Sequence, residues 1–293
     1  MLKTVRLADL SIDLTDLYQQ GMPAGCSTGW PSVDEFYTVA PGFWTALTGI
    51  PSHGKSTWMD CLMLNLMQQG WRFIVYSPEN QPHHLYLANL IEKYTKRPFR
   101  KGRNNCVTPQ DIAEAVDDLD ANIRLLAFDD GAIFPSLESF MLAAQEIICD
   151  EWAMADKIGV IVDPINELES SAPPGMSETQ WTNFQLMRYR QWIRRYGTRV
   201  HGWIVAHPAK PQKDRNGEYR DVSLYDISGS AAWKNKADFG IIIRRRDDCT
   251  VVDIEKCRWR HLGKQGQAFL IYEPGSGTFR EQIMRNNPYE RQF

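Results

Sequence analysis

The feature that most constrains the fold of this chain is the octapeptide Gly49-Ile50-Pro51-Ser52-His53-Gly54-Lys55-Ser56. It matches G-x-x-x-x-G-K-[ST], a loop whose two glycines let the backbone turn tightly and point its N–H groups inward at an anion. In such a loop Lys55 reaches the β- and γ-phosphates of a nucleotide, and the Ser56 hydroxyl binds Mg²⁺. The residues predicted to bind the nucleotide are Gly49, Ile50, Pro51, Ser52, His53, Gly54, Lys55, Ser56 and Thr57.

The segments on both sides of this loop have the pattern that a phosphate site requires. The run 43–48 before it is short and apolar, as is typical of a strand, and apolar residues recur at helical spacing over 57–69, before Gly70. A helix that starts at the loop adds the positive end of its dipole to the phosphate site. A glycine-bearing surface turn is the alternative, and these flanks weaken it, so we predict nucleotide binding.

Composition narrows the class of protein. The 293 residues suffice for one large domain or two small ones, and 43% hydrophobic and 24% charged residues are ordinary for a globular protein. The net charge of −3 gives no overall basic signal, so contact with nucleic acid must come from local patches or from surfaces joined in an oligomer. The six cysteines are scattered without a C-x-x-C pair, which disfavours disulfides and zinc and indicates reduced thiols in a cytosolic protein.

Targeting segments are not predicted. Three aspartates within residues 1–20 argue against a secretion signal, and no run approaches the roughly 18 apolar residues of a membrane span. We expect a cytoplasmic protein, or a phage protein in its host's cytoplasm. A mitochondrial location is expected only if a transit segment is missing from the sequence.

Strand-like and helical segments alternate after the phosphate loop. Strands are predicted at 72–77, 123–128, 158–162 and 201–206, and helices at 85–94, 109–119, 134–155 and 181–196. Three closely spaced strands follow at 239–244, 250–256 and 267–272. The alternation predicts an α/β fold, with a mostly parallel sheet covered by helices on both faces and an antiparallel extension at the C-terminal end.

The N-terminal segment carries its own periodicity. Leu7, Leu10, Leu14 and Leu17 recur at steps of three and four residues before Gly21, which predicts a short amphipathic helix. Its apolar stripe packs either on its own domain or on a neighbouring subunit, and the sequence leaves both alternatives open.

Three polar residues follow predicted strands, where ligands bind in open α/β sheets. Asp163 is expected to hold Mg²⁺ through water, or to open a turn before Pro164. Glu79 is expected one strand over from the phosphate loop, where it would polarise the attacking water, although an acid at a helix N-terminus is the alternative. His207 would sense the γ-phosphate, or it is a hydrogen-bonded core histidine.

Further segments share the pattern of one protein family. They are Ser27-Thr28-Gly29-Trp30-Pro31-Ser32-Val33-Asp34, the phosphate loop, Glu79, Asp163, His207-Pro208, Asp226-Ile227-Ser228-Gly229-Ser230-Ala231, Glu255-Lys256-Cys257-Arg258 and the stretch 263–266. On these residues the chain resembles the RecA-type domain of replicative hexameric helicases, in particular the T7-phage-type primase-helicase and its mitochondrial relative Twinkle, and more distantly bacterial DnaB. The resemblance implies a RecA-like P-loop NTPase core. It divides the chain into an N-terminal linker or subunit-packing segment, 1–25, and a helicase motor domain, 26–293.

The resemblance also implies roles around the nucleotide. ATP, or another NTP, and Mg²⁺ are the expected cofactors, with Lys55 on the phosphates, Ser56 and Asp163 as metal ligands, Glu79 as the catalytic base and His207 as the γ-phosphate sensor.

Four later residues receive roles from the same resemblance. Arg258 resembles the arginine finger that reaches the nucleotide of the neighbouring subunit, and Lys256 resembles its companion on the γ-phosphate. A salt bridge within the subunit is the alternative for Arg258. Arg245 and Tyr272 match the pair that sandwiches the nucleotide base, with packing at the strand edge as the alternative.

Two loops match the DNA-binding loops that line the central channel of the family's ring. They are the loop 166–179 and the loop 210–220, which carries Lys210, Lys213, Arg215 and Arg220. The alternative for the second loop is a solvated, charged excursion. The expected partners are single-stranded DNA, further copies of the chain in a homo-oligomer, for which a hexamer is expected, and a primase or polymerase, with no membrane.

Departures from the family pattern leave alternatives open. Pro164, Ile165 and Asn166 follow Asp163 where relatives often carry a longer polar pattern, and the chain has no room for primase or zinc-binding domains. It is therefore a stand-alone motor or an excised domain.

A RecA-, RadA- or KaiC-type ATPase without unwinding activity is one alternative function, and a nucleotide-gated assembly module is another. The catalytic base Glu79 argues against the module.

Overall fold

The computed structural model describes residues 4–101, 105–127, 135–209, 220–227 and 230–282. The helices are α1 (Ser11–Gln20), α2 (Pro31–Asp34), α3 (Lys55–Met67), α4 (His83–Thr95), α5 (Pro109–Asn122), α6 (Leu137–Glu146), α7 (Glu178–Arg195) and α8 (Ser230–Lys236). The strands are β1 (Trp44–Thr48), β2 (Arg72–Tyr76), β3 (Ile123–Leu125), β4 (Ile158–Val162), β5 (Val200–Val205), β6 (Phe239–Arg245), β7 (Thr250–Cys257), β8 (Gly266–Glu273) and β9 (Thr278–Glu281).

The nine strands form one sheet in the order β3-β2-β4-β5-β1-β6-β7-β8-β9. The pairs from β3 to β6 are parallel, and those from β6 to β9 are antiparallel. The predicted fold class, a mostly parallel sheet with an antiparallel C-terminal extension, is therefore confirmed. The predicted helix over 134–155 is interrupted, because the α-helix ends at Glu146 and a wider π-helical turn follows over Ile147–Glu151.

Helices cover both faces of the sheet, which therefore has a core on each side. Neighbouring residues of one strand, such as Phe73 and Ile74, point to opposite faces and belong to different core clusters. Two aromatic rings pack closely on Gly159 in β4, where a Cβ atom would lie 2.2 Å from the ring of Phe73 and 3.0 Å from that of Trp203. The central strands are buried throughout, which explains why their sequences are continuous apolar runs.

The N-terminal segment forms a 3₁₀ turn over Leu7–Leu10 and then α1. Its leucine stripe is not buried, since Leu7 and Leu14 are 83% and 60% exposed. None of the helices in the described part of the chain is long and apolar enough to cross a membrane.

Candidate active site

The phosphate loop lies between β1 and α3, as the sequence predicts. Gly54 caps α3 in the left-handed conformation, with φ of 89°, and the helix has no side-chain cap, so its first N–H groups remain open to an anion. Gly49 packs against β6, where a Cβ atom would lie 2.3 Å from the Ile243 carbonyl oxygen. The loop therefore needs a glycine at both positions.

Lys55 is buried at the start of α3, with 6% of its surface exposed. Its Nζ donates a hydrogen bond to the carbonyl of Ile50 at 3.3 Å, within the loop itself. Burial lowers the pKa of Lys55, while the nearby carboxylates of Asp163 and Glu79 raise it. A phosphate in the loop would supply the stronger anionic partner that this ammonium group lacks.

Asp163 lies directly after β4 and is 5% exposed. Its carboxylate accepts a hydrogen bond from the side chain of Ser56. Burial raises the pKa of Asp163 to about 6, and the Ser56 hydrogen bond and the charge of Lys55 oppose this shift. The structure thus brings the two predicted metal ligands into contact.

The donor set at this point fits Mg²⁺. A hydroxyl and a carboxylate are the hard oxygen ligands that Mg²⁺ prefers, and the ion usually completes its shell with waters and substrate phosphates. Burial disfavours the charged form of the Asp163 carboxylate, and a nearby cation would favour it. Within the described ranges no group of three or more His, Cys, Asp or Glu residues could hold a metal by itself. Ser56 and Asp163 would therefore hold Mg²⁺ together with the nucleotide.

Glu79 lies in an exposed turn after β2, and its predicted position one strand over from the loop is wrong. The strands β4 and β5 lie between β2 and β1, because later crossovers of the chain fill those two places in the sheet. Glu79 nevertheless raises the pKa values of Lys55, Asp163 and His207, which puts it within electrostatic range of all three. Since α4 begins only at His83, with no acid in its first turn, Glu79 is not a helix N-terminal acid.

His207 follows β5, the strand beside β1, and is half-buried. Its backbone N–H donates to Oδ1 of Asn166 at 2.8 Å, which ties it to the loop 166–179. Burial and the charge of Lys55 lower the pKa of His207. The core histidine is instead His201, which is fully buried and donates from Nδ1 to the carbonyl of Ala40 at 2.6 Å.

A cavity of about 150 Å³ adjoins the phosphate loop and contains both predicted base-contacting residues. It is lined by Ser52, His53, Gly54, Thr57, Arg245, Thr250, Tyr272 and Phe279. Tyr272 is 41% exposed and its ring centre lies 5.4 Å from that of Phe279, so one face of the cavity is aromatic. A guanidinium and an aromatic ring beside the phosphate loop suit the base and ribose of a nucleotide.

Lys256, near the end of β7, and Arg258, directly after that strand, both donate to backbone carbonyls at the end of α8. Arg258 Nη2 lies 3.1 Å and Lys256 Nζ 3.5 Å from the Asn235 oxygen. Arg258 also forms an ion pair within the subunit, with Nε 3.6 Å from Oδ1 of Asp238, and Arg190 approaches the same oxygen at 3.3 Å. Burial and the charge of Arg258 lower the pKa of Lys256 to about 8.

These two cations lie at the end of the sheet where β1 begins, and their own phosphate loop lies at the opposite end, where β1 finishes. The N–H of Asp238 donates to the carbonyl of Trp44, the first residue of β1, whereas the phosphate loop follows the last residue of that strand. A five-residue strand spans about 16 Å. Arg258 therefore does not serve the phosphate loop of its own chain in this arrangement.

The predicted DNA-binding residues fall largely outside the described ranges. Lys210, Lys213 and Arg215 lie there, and Arg220 alone is described, as an exposed residue beside Asp221. The other predicted loop, 166–179, contains no lysine or arginine. It lines a cavity of about 540 Å³ with acidic residues that include Glu167, Glu169 and Glu178, so its contacts with DNA would have to come from backbone and hydroxyl groups.

Fold and site together define a P-loop domain with a RecA-like fold. Two solved structures share the fold. One, an ATPase domain, has a TM-score of 0.76 at 14% identity, over 96% of this chain and 100% of that chain. The other, a DnaB-like replicative helicase described with its interactions with primase, has a TM-score of 0.71 at 15% identity, over 96% of this chain and 68% of that chain.

The sequence is similar to the Twinkle homolog protein, chloroplastic/mitochondrial, of Arabidopsis thaliana. The two are 32% identical over 286 residues, which cover 92% of this chain and 38% of that protein. The chain thus spans well under half of this relative's length. No protein-family model matches the chain. The resemblance to the Twinkle and DnaB type, inferred from the motifs, is confirmed.

Proposed function

We propose that this chain is the motor of a ring-forming replicative DNA helicase that hydrolyses ATP, or another NTP, and moves along single-stranded DNA. The observation that carries the proposal is the grouping of Lys55, Ser56, Glu79, Asp163 and His207. They come from four separate strand ends and share one electrostatic site at the carboxyl edge of the sheet. The helicase relatives support this motor over a RecA-, RadA- or KaiC-type ATPase.

Each group has a task in hydrolysis. Lys55 and the open N–H groups of α3 would bind the phosphates, and the exposed carboxylate of Glu79 would accept a proton from the attacking water. His207, held by Asn166, would report the γ-phosphate to the loop 166–179. When bound, Mg²⁺ neutralises charge on the phosphates. Ser56 and Asp163 would hold it in place.

The positions of Lys256 and Arg258 support a ring. A finger one strand length away from its own phosphate loop can act only on a neighbour's nucleotide, and we propose that both cations do so within a homohexamer. The exposed leucines of the segment 1–25 support its role in packing between subunits, because a neighbouring motor domain, 26–293, would cover them.

The DNA contacts are proposed for the channel of this ring. Lys210, Lys213, Arg215 and Arg220 would each appear once per subunit, so that the ring concentrates positive charge that the chain as a whole lacks. A primase or polymerase is a further proposed partner, in keeping with the primase interactions of the DnaB-like helicase.

Three measurements test the proposal. We expect ATP turnover that single-stranded DNA stimulates, unwinding of a forked duplex, and a hexameric mass with nucleotide. Turnover and DNA binding without unwinding would favour the recombinase-type ATPase. Nucleotide binding without turnover would favour the assembly module.

A further inference from the structure

His53 occupies a variable position of the phosphate loop and connects the loop to β6. Its Nδ1 accepts a hydrogen bond from the backbone N–H of Arg245 at 3.2 Å. Its own backbone N–H donates to the carbonyl of Ile50 at 3.2 Å, so the residue is bonded both within the loop and to the strand. Burial and the cations Lys55 and Arg245 lower the pKa of His53, and the neutral ring can accept a hydrogen bond near pH 7.

The sheet explains why this acceptor comes from the phosphate loop and not from β1. The last residue of β1, Thr48, is paired with Ile242, so β6 continues beyond the end of its neighbour. On that side the N–H of Arg245 lies past the end of β1, at the exposed end of β6. His53 supplies the missing acceptor, while Gly49 packs against the carbonyl of Ile243. The phosphate loop is thereby fixed to β6 at two points.

Arg245, to which His53 is bonded, also lines the cavity beside the phosphate loop where the nucleotide base is expected. Arg245 is opposite Thr250 in the β6–β7 ladder, and both line the cavity with Tyr272. The His53 bond therefore sets the distance between the loop that takes the phosphates and the side chains that take the base. The motif itself allows any residue at this position, so the bond is a property of this chain.

We propose that His53 is a positioning residue that aligns Arg245 with the phosphate loop, so that it governs affinity for the base and ribose of the nucleotide rather than for its phosphates. This inference rests on the proposed function, because it assumes that a nucleotide occupies the loop. Loss of one hydrogen bond of this kind should weaken nucleotide binding about tenfold.

Two substitutions of His53 distinguish the loss of its hydrogen bond from a change in side-chain shape. His53→Leu removes the acceptor, whereas His53→Asn retains one, since the amide Oδ1 takes a position similar to that of imidazole Nδ1. Tyr272→Ala serves as the reference for a defect in base contact. The probes are ATP and inorganic tripolyphosphate, each titrated calorimetrically with Mg²⁺, because tripolyphosphate has the phosphates without the base.

We expect His53→Leu to bind ATP about tenfold more weakly and tripolyphosphate within about twofold of the parent, as Tyr272→Ala should, with His53→Asn close to the parent for both. Unchanged tripolyphosphate binding also shows that the variant is folded. Equal losses for both probes, or no loss for either, would overturn the inference while leaving the proposed function intact. A parent protein that binds neither probe would overturn the proposed function, and this inference with it.

Discussion

The buried ion pair between α3 and α4 leads to a quantitative prediction for Lys93→Met. Lys93 Nζ lies 3.2 Å from Oδ2 of Asp60, and the two side chains are only 9% and 10% exposed. The hydroxyl of Tyr86 donates to the other carboxylate oxygen at 2.8 Å. Removing one partner of a buried pair leaves an uncompensated charge and costs about 3–5 kcal/mol. Because the Tyr86 bond remains, we expect about 3 kcal/mol.

The stability that Lys93→Met loses should depend on pH in a defined direction. Burial raises the pKa of Asp60, and the charge of Lys93 is the main influence that lowers it. Without Lys93 the folded-state pKa rises further above its unfolded value, about 3.9. A carboxyl group of this kind destabilises the fold as the pH rises, so the loss should be largest near pH 8 and should shrink toward pH 4.

Urea unfolding followed by tryptophan fluorescence at several pH values measures both effects. The matched control is the double variant Asp60→Asn/Lys93→Met, which removes both charges and keeps an acceptor for Tyr86. We expect it to recover most of the lost stability. A single-variant loss below about 1 kcal/mol at pH 8, or one that does not change with pH, would refute the reasoning.

Further substitutions test the site and the core. Lys55→Ala should slow ATP hydrolysis at least about a hundredfold in a phosphate-release assay, and turnover within a few-fold of the parent would reject the loop assignment. Glu79→Gln should bind ATP normally without hydrolysing it, and parallel loss of binding would indicate a structural role instead. Arg258→Ala and Glu79→Gln subunits mixed in equal amounts should recover ATP hydrolysis at about a quarter of the interfaces, namely those with an intact Glu79 on one side and an intact Arg258 on the other. No recovery in rings shown to exchange subunits would favour the internal ion pair of Arg258. Gly159→Val should lower the unfolding free energy by about 3 kcal/mol, with Gly275→Val, whose Cβ has no neighbouring atom, as the control; equal effects would contradict the tight packing.

The sequence predicts β1 to β8, though not β9, and the position of the phosphate loop, because these depend on local patterns. Buried parallel strands require apolar runs, so β4 can be predicted from Ile158–Val162 and Asp163 can be recognised as the polar residue after it. The order of strands depends on crossovers that leave no local pattern. For that reason the sequence predicts Glu79 one strand from the loop, whereas two strands lie between them.

Contacts between distant parts of the chain are equally inaccessible to local patterns. His53 and Arg245 are 192 positions apart, and each has an ordinary sequence neighbourhood. Asp60 looks like an exposed helical position until α4 brings Lys93 and Tyr86 beside it. Asn166 stands out in the sequence only as a departure from the family pattern, although it holds the backbone of His207. Partners of this kind are set by tertiary packing and not by spacing along the chain.

Arg190 and Arg258 share the carboxylate of Asp238, and this has a consequence for how Arg258 could leave it for a neighbouring subunit of a ring. Its side chain is 1% exposed, and Arg190 would remain beside it after Arg258 moved to a neighbour's phosphates. The departing arginine therefore leaves no solitary buried anion, whose place in a low-dielectric interior would cost several kcal/mol. The barrier to its departure is limited to one carbonyl bond and one loose ion pair. In the proposed ring, Arg258 would therefore exchange an internal anion for a neighbour's phosphate, while Arg190 keeps Asp238 paired.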